Sequence, residues 1–265
     1  ILKSGCIETE DLAPIIYLKF KIYGMDEKIP VKHIVVDEAQ DFSIFQFYVI
    51  KNIIKDSSFT ILGDLCQGIH SYRGVKNWND VMTNVFENGE CQYLTLEQSY
   101  RTTVEIMDAA NKVLSGIKTL NLPLGKPVIR HGEKVGIVKF ESVESVADDI
   151  KSKVEQARAE NYKSIAVICK TMAECEEMIK HFKKGKNGPY IITGTEKEYK
   201  GGFVIVPAYL SKGLEFDVVF IADASCDKYK ADELDAKLLY VSMTRPLHKL
   251  YIYYKGDLPP LLKNV

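Results

Sequence analysis

No apolar stretch of this 265-residue chain reaches the roughly 18 to 20 residues needed to cross a bilayer, and the N-terminus has no charged-then-apolar signal pattern. A membrane partner is therefore not expected. The six cysteines, Cys6, Cys66, Cys91, Cys169, Cys175 and Cys226, include no CxxC pair and no Cys/His set with zinc spacing. Disulfide frameworks and structural zinc are excluded on that basis, and reduced thiols in a cytoplasmic protein are expected. An excess of one charge is also missing. With 35 Lys and Arg against 36 Asp and Glu, the net charge of -1 supplies no global field for nucleic acid, so any such binding must rest on local basic and aromatic residues. There is no internal repeat and no low-complexity tract. An initiating Met is lacking too, and a start at Ile1 is expected to mark a fragment or a processed chain.

What is present is a globular composition, 46% hydrophobic, long enough for one large core or two ordinary ones, with length favouring two. The most informative segment is His33 to Asp41, HIVVDEAQD, where an apolar strand ends on two adjacent carboxylates. Ligands of open α/β sheets sit beyond the carboxyl ends of such buried parallel strands. In phosphate chemistry Asp37 could bind Mg²⁺ through a water, while Glu38 could orient and deprotonate the water that attacks a γ-phosphate. The plainer alternative is that both acids merely open the next helix, at its positive dipole end.

Hydrophobic periodicity continues this strand into a helix over 42–55 and a strand over 59–62, a βαβ unit. A helix over 77–86, a strand over 92–96 and a helix over 102–114 follow. The Gly- and Pro-rich stretch 116–136 reads as a connector. Beyond it, strands are expected over 135–140, 164–169, 190–193, 203–206, 218–221 and 250–254, with helices over 143–159, 172–182 and 233–243. The expected fold is α/β in two parallel-sheet halves.

Further side chains suit phosphate and base chemistry. In GDLCQGIHSYRG (63–74), Gln67 could sense a phosphate or its attacking water, and Tyr72 with Arg73 could stack a base and hold backbone charge. In LEQSYRT (96–102), Tyr100 and Arg101 open a helix, and Arg101 could clamp a phosphate. Arg245, in LLYVSMTRP, could approach the same charge from the other half. In SKGLEF (211–216), Lys212 and Gly213 form a turn and Glu215 could accept a bond from a sugar hydroxyl. Each has a plainer reading. Tyr72 could pack on a helix, either arginine could form a surface ion pair, and KGLE could be only a turn before a strand.

Taken in order, DEAQD, GDLCQGIHSYRG, LEQSYR, SKGLEFDVVFIADA and LLYVSMTRPLHKL resemble motifs II to VI of the UvrD/Rep class of superfamily 1 helicases. The resemblance implies two RecA-like, P-loop NTPase-type domains with ATP between them. The first would be incomplete at its N-terminus over 1–97, and the second would span 98–265 without a large inserted domain. It implies Asp37 on Mg²⁺, Glu38 as catalytic base, and Gln67 coupling the γ-phosphate to the nucleic-acid track. Tyr100 would stack on adenine, Arg101 and Arg245 would meet the γ-phosphate, and Lys212, Gly213 and Glu215 would serve the ribose edge. Tyr72, Arg73 and Tyr209 fall where the family contacts nucleic acid, expected here to be DNA.

Three departures qualify it. There is no GxxxxGK[ST], the phosphate cradle that precedes DEAQD in this family, so the missing N-terminal part of the same protein is expected to carry it and the chain alone to hydrolyse essentially no ATP. About 105 residues separate Arg101 from Pro207, which leaves no room for the family's large accessory domain. Pro207 and Tyr209 replace the usual Thr and His. With the opening ETEDLAPIIYLKFKIYG and the ending TRPLHKL, these resemble the HelD branch, whose members are helicase-like ATPases associated with RNA polymerase. The expectation is a HelD-like motor. An ordinary ATP-dependent DNA helicase of the UvrD/Rep type and a non-hydrolysing scaffold are the alternatives.

Overall fold

The computed structural model describes residues 7–24, 30–70, 73–86, 91–117, 120, 122–183, 185, 187–196, 199 and 201–265. Tyr72 lies outside the described residues. The chain divides into two compact units, Ile1–Thr95 and Leu96–Val265.

The N-terminal unit contains α1 (Thr9–Tyr23), β1 (His33–Val36), α2 (Ile44–Ile53), β2 (Ser58–Ile61) and α3 (Trp78–Asn84). The expected βαβ unit is β1-α2-β2, and its strands pair in parallel from His33 opposite Ser58 to Val36 opposite Ile61. Helix α2 starts where Ser43 accepts from the Gln46 amide while Gln46 reaches back to the Ser43 N–H at 2.7 Å, a reciprocal cap. The core beneath it gathers Val36, Ala39, Phe47, Val75, Val81 and Val85. Helix α1 carries an internal Pro14 and packs on α2 through Tyr17, whose ring lies 5.6 Å from Phe45 and 5.7 Å from Tyr48.

The C-terminal unit contains β3 (Gln98–Ser99), α4 (Val104–Ser115), β4 (Lys126–Pro127), β5 (Gly136–Phe140), α5 (Val143–Ala159), β6 (Ile165–Cys169), α6 (Met172–Met178), β7 (Tyr190–Ile191), β8 (Phe203–Pro207), β9 (Phe216–Ile221), α7 (Glu233–Met243) and β10 (Pro246–Lys255). Six strands form one sheet in the order β5-β10-β9-β6-β8-β7, every pair parallel. Alternate residues serve its two faces. Ile165, Val167, Ile205 and Phe220 pack with Val146, Ile150, Val154 and Cys175 of α5 and α6, whereas α4 and α7 pack together and meet β10 and β9 respectively. Strands buried on both sides read as unbroken apolar runs, as IAVIC and FVIVP do.

Two expectations change. Residues 92–96 form no strand; the pairing comes two residues later, where Gln98 and Ser99 meet Lys126 and Pro127 from the stretch read as a connector. The helix expected over 172–182 is α-helical only to Met178 and ends in a 3₁₀ turn, Ile179–His181. Among the described residues no helix is long and apolar enough to cross a membrane.

Candidate active site

The acid pair stands where β1 runs out. Asp37 and Glu38 are both exposed, and the Glu38 N–H donates to Asp37 Oδ1 at 2.8 Å. Glu38 has φ 50° and ψ 36°, a left-handed conformation. Non-glycine residues adopt it at a cost of about 1–2 kcal/mol, and such strain gathers at functional positions. Glu38 stands at the start of a 3₁₀ turn (Ala39–Asp41) without a side-chain cap bond to it, and α2 begins only at Ile44 with its own cap.

Gln67 joins this group through two residues to which the sequence reading gave no role. The Gln40 amide donates to Glu38 Oε2 at 2.6 Å and accepts from the Asp64 N–H at 2.9 Å. The Asp64 carboxylate accepts from Gln67 Nε2 and from the Cys66 N–H, each at 2.8 Å. The structure therefore brings Glu38 and Gln67 into one hydrogen-bonded series. Gln40 stood inside DEAQD and Asp64 inside GDLCQG, so proximity to motif residues was the available signal. Arg73, in the same unit, is ion-paired to Glu10 of α1 at 2.7 Å.

In the C-terminal unit Arg101 and Glu215 meet directly, Nε to Oε1 at 2.7 Å. The sequence reading gave them separate duties, phosphate and sugar; here they neutralise each other, which is the plainer surface-pair reading. Arg245 is buried, with Nε donating to the Val241 carbonyl at 2.9 Å and a second nitrogen donating to Leu214 O at 3.4 Å. Its own carbonyl accepts from the Phe216 N–H. The turn holding Lys212, Gly213 and Glu215 is thus fastened to Arg245. Gly213 has φ +80° and open space around it, so glycine is required there by conformation. Tyr100 is exposed and its hydroxyl donates to Gln98 Oε1. Tyr209 is exposed on the 3₁₀ turn after β8.

Arg130, within the stretch read as a connector, braces this group. Its guanidinium bonds the Leu247 carbonyl at 3.0 Å and His248 Nδ1 at 2.8 Å, and also reaches the Arg101 carbonyl at 3.4 Å. Burial, and then the Arg130 charge, push the His248 imidazole below its ordinary value.

Among the described residues no group of three or more His, Cys, Asp or Glu could hold a metal ion alone. Mg²⁺ in phosphate-transfer sites is held by one or two carboxylates together with substrate oxygens and water. An exposed Asp37 at a strand terminus fits that demand.

Comparison with known proteins agrees along most of the chain. Residues 24–83 match the family described as UvrD/REP helicase N-terminal domain, and residues 94–201 and 202–253 match two families described as UvrD-like helicase C-terminal domain. A "Probable DNA helicase II homolog" from Mycoplasma capricolum is 29% identical over 73% of this chain and 27% of its own length. "ATP-dependent DNA helicase PcrA" of Leuconostoc citreum is 28% identical over 66% of this chain and 24% of its own. "ATP-dependent DNA helicase Rep" of Buchnera aphidicola is 30% identical over 62% and 25%. The chain thus spans about a quarter of the length of these curated relatives. A crystal structure described as the C-terminal domain of a possible DNA helicase from Lactobacillus plantarum superposes with a TM-score of 0.51 at 31% identity, over 63% of this chain and 94% of that one. Residues 24–83 and 94–253 of this chain are thus UvrD/Rep-type helicase family domains.

Proposed function

We propose that the chain is part of an ATP-driven DNA helicase or translocase of the UvrD/Rep type, its N-terminal unit supplying the hydrolytic carboxylates and its C-terminal unit the cationic and ribose-facing groups. The observation that carries this is Glu38, an acid held in a left-handed turn at a strand end and bonded through Gln40 and Asp64 to Gln67. When bound, Mg·ATP supplies the scissile anhydride and the cation that polarises it. Asp37 would hold the cation, Glu38 would take the proton of the attacking water, and Gln67 would sense the phosphate. Arg101 and Arg245 would balance phosphate charge, Tyr100 would stack on the base, and Lys212, Gly213 and Glu215 would border the sugar. Tyr72, Arg73 and Tyr209 would contact the DNA strand. Because the sequence holds no GxxxxGK[ST], ATP turnover requires a phosphate cradle from outside these 265 residues. In the complete natural polypeptide, Glu38→Gln should lower ATP turnover by about 10²- to 10⁴-fold. Normal turnover in that variant would remove Glu38 from the mechanism.

A second reading, a HelD-like motor that remodels RNA polymerase, is favoured by one observation. Between Arg101 and Pro207 the chain builds β5, β6 and β7 into the same sheet as β8, with α5 and α6 between these strands and no inserted domain among the described residues. The names of the relatives support the DNA helicase reading better. Single-stranded DNA stimulates turnover in the first reading, whereas in the second RNA polymerase does and DNA alone does not.

A further inference from the structure

The buried amide of Gln40 has an arrangement that a packing residue does not need. Its side chain is fully enclosed, yet both polar ends are satisfied by partners that can play only one part. Nε2 donates to the Glu38 carboxylate at 2.6 Å, and Oε1 accepts from the Asp64 backbone N–H at 2.9 Å. An ionised carboxylate only accepts and a backbone N–H only donates, so the amide fits in one orientation. Its main-chain carbonyl also accepts from the Val75 N–H at 3.0 Å. One residue thus ties together the acid turn, the start of the Asp64–Gln67 loop and the chain that follows Arg73.

The surrounding chain gives way to it. A Cβ on Gly63 would lie 2.7 Å from Gln40 Oε1 and 2.8 Å from the Trp78 ring, and a Cβ on Gly74 would strike the Gln40 carbonyl oxygen. Neither glycine has a left-handed backbone. They are required by close approach to Gln40, not by conformation, and they flank the segment that contains Gln67. An amide is also chemically apt beside a base. It holds the carboxylate by a hydrogen bond but offers no proton that Glu38 could exchange, whereas a lysine would neutralise it and a second carboxylate would repel it.

We infer that Gln40 is a positioning residue: it fixes the carboxylate of Glu38 and, through the Asp64 main chain, makes that position depend on the loop carrying Gln67. This rests on the proposed ATPase reading and deepens it. Movement of the Gln67 loop, whether driven by phosphate or by a bound strand, is then transmitted to the base through one side chain. The shift required is small, since a displacement of about 1 Å at a reacting group changes rates on the order of 100-fold.

The test uses the complete natural polypeptide, with steady-state ATPase measured with and without a single-stranded oligonucleotide. Gln40→Met keeps the length and removes both hydrogen bonds. It should lower kcat by roughly 10- to 100-fold, leave KM for ATP within about twofold of wild type, and abolish the ratio of DNA-stimulated to basal turnover. Gly63→Ala crowds Oε1 without removing any hydrogen-bonding group, and it should give the same pattern more weakly, so the inference stays testable if Gln40→Met does not fold. Wild-type kcat and stimulation in both variants would overturn the inference, as would kcat and KM changing together with a lowered melting temperature. An inactive wild-type protein would instead overturn the ATPase reading itself.

Discussion

The two units solve the same problem to different degrees. In the C-terminal unit the central strands β6 and β8 are buried at every position, and helices cover both faces of the six-stranded sheet. In the N-terminal unit the two-stranded sheet leaves Val35 60% exposed, and Leu62, just after β2, is 46% exposed, although parallel sheets are ordinarily covered on both sides. The acid pair belongs to the less buried unit. Its turn is fastened by hydrogen bonds, while Arg245 is set in the buried core of the other unit.

The strongest way to break that comparison is a pair of truncations. Ile205→Ala, at a fully buried position of β8, should cost about 2–5 kcal/mol, whereas Val35→Ala should stay within about 0.5 kcal/mol. Denaturant titration reads both, and similar losses would show that the two sheets share one stability. A smaller effect is expected at the strained turn. Glu38→Gly relieves a left-handed backbone worth about 1–2 kcal/mol but loses a charge-assisted hydrogen bond worth about 1.5–3 kcal/mol and leaves the buried Gln40 amide without that acceptor. Thermal melting should therefore show a net loss of about 1 kcal/mol. A clear gain would mean that strain at Glu38 outweighs its anchoring of the turn.

The most localised effect concerns Glu105 near the start of α4. Its bond to His131, then bonds from its own amide and that of Gly132, hold the carboxyl at about 2, below the ordinary 4.5. A depressed carboxyl contributes stability that is fully present above the unfolded value and is lost as pH falls through the folded one. The C-terminal unit should therefore weaken between about pH 4.5 and about 2. In Glu105→Gln that slope should shrink without vanishing, because the Thr193 amide and hydroxyl hold Glu196 of the same unit at about 2 as well, as acid titration followed by NMR would show; an unchanged slope would place the acid sensitivity elsewhere.

Much of this organisation was legible because buried parallel strands write themselves as apolar runs. The strands expected over 164–169, 203–206 and 218–221 appear as β6, β8 and β9 with ends moved by two residues or fewer. Residues 92–96 misled because Tyr93, Leu94 and Leu96 have strand-like composition, yet all are exposed and pack on no sheet; propensity counts only where a face is buried. No helix was expected over 9–23, where Pro14 interrupts the pattern. At the candidate site, motif order singled out the acids and arginines. It did not show that Gln40 and Asp64 join Glu38 to Gln67, nor that Arg101 meets Glu215, 114 positions along the chain, because such partnerships exist only after folding.

The Arg101–Glu215 pair has a consequence for ionic strength. On the proposed reading, a phosphate arriving at Arg101 would exchange one anion for another, so the guanidinium would be accompanied before and after the event. Little net charge would be created or quenched at that point, and fewer salt ions would move between surface and solvent. The resident carboxylate would then serve as a built-in counter-ion, flattening the dependence of phosphate affinity on salt that an isolated arginine would confer.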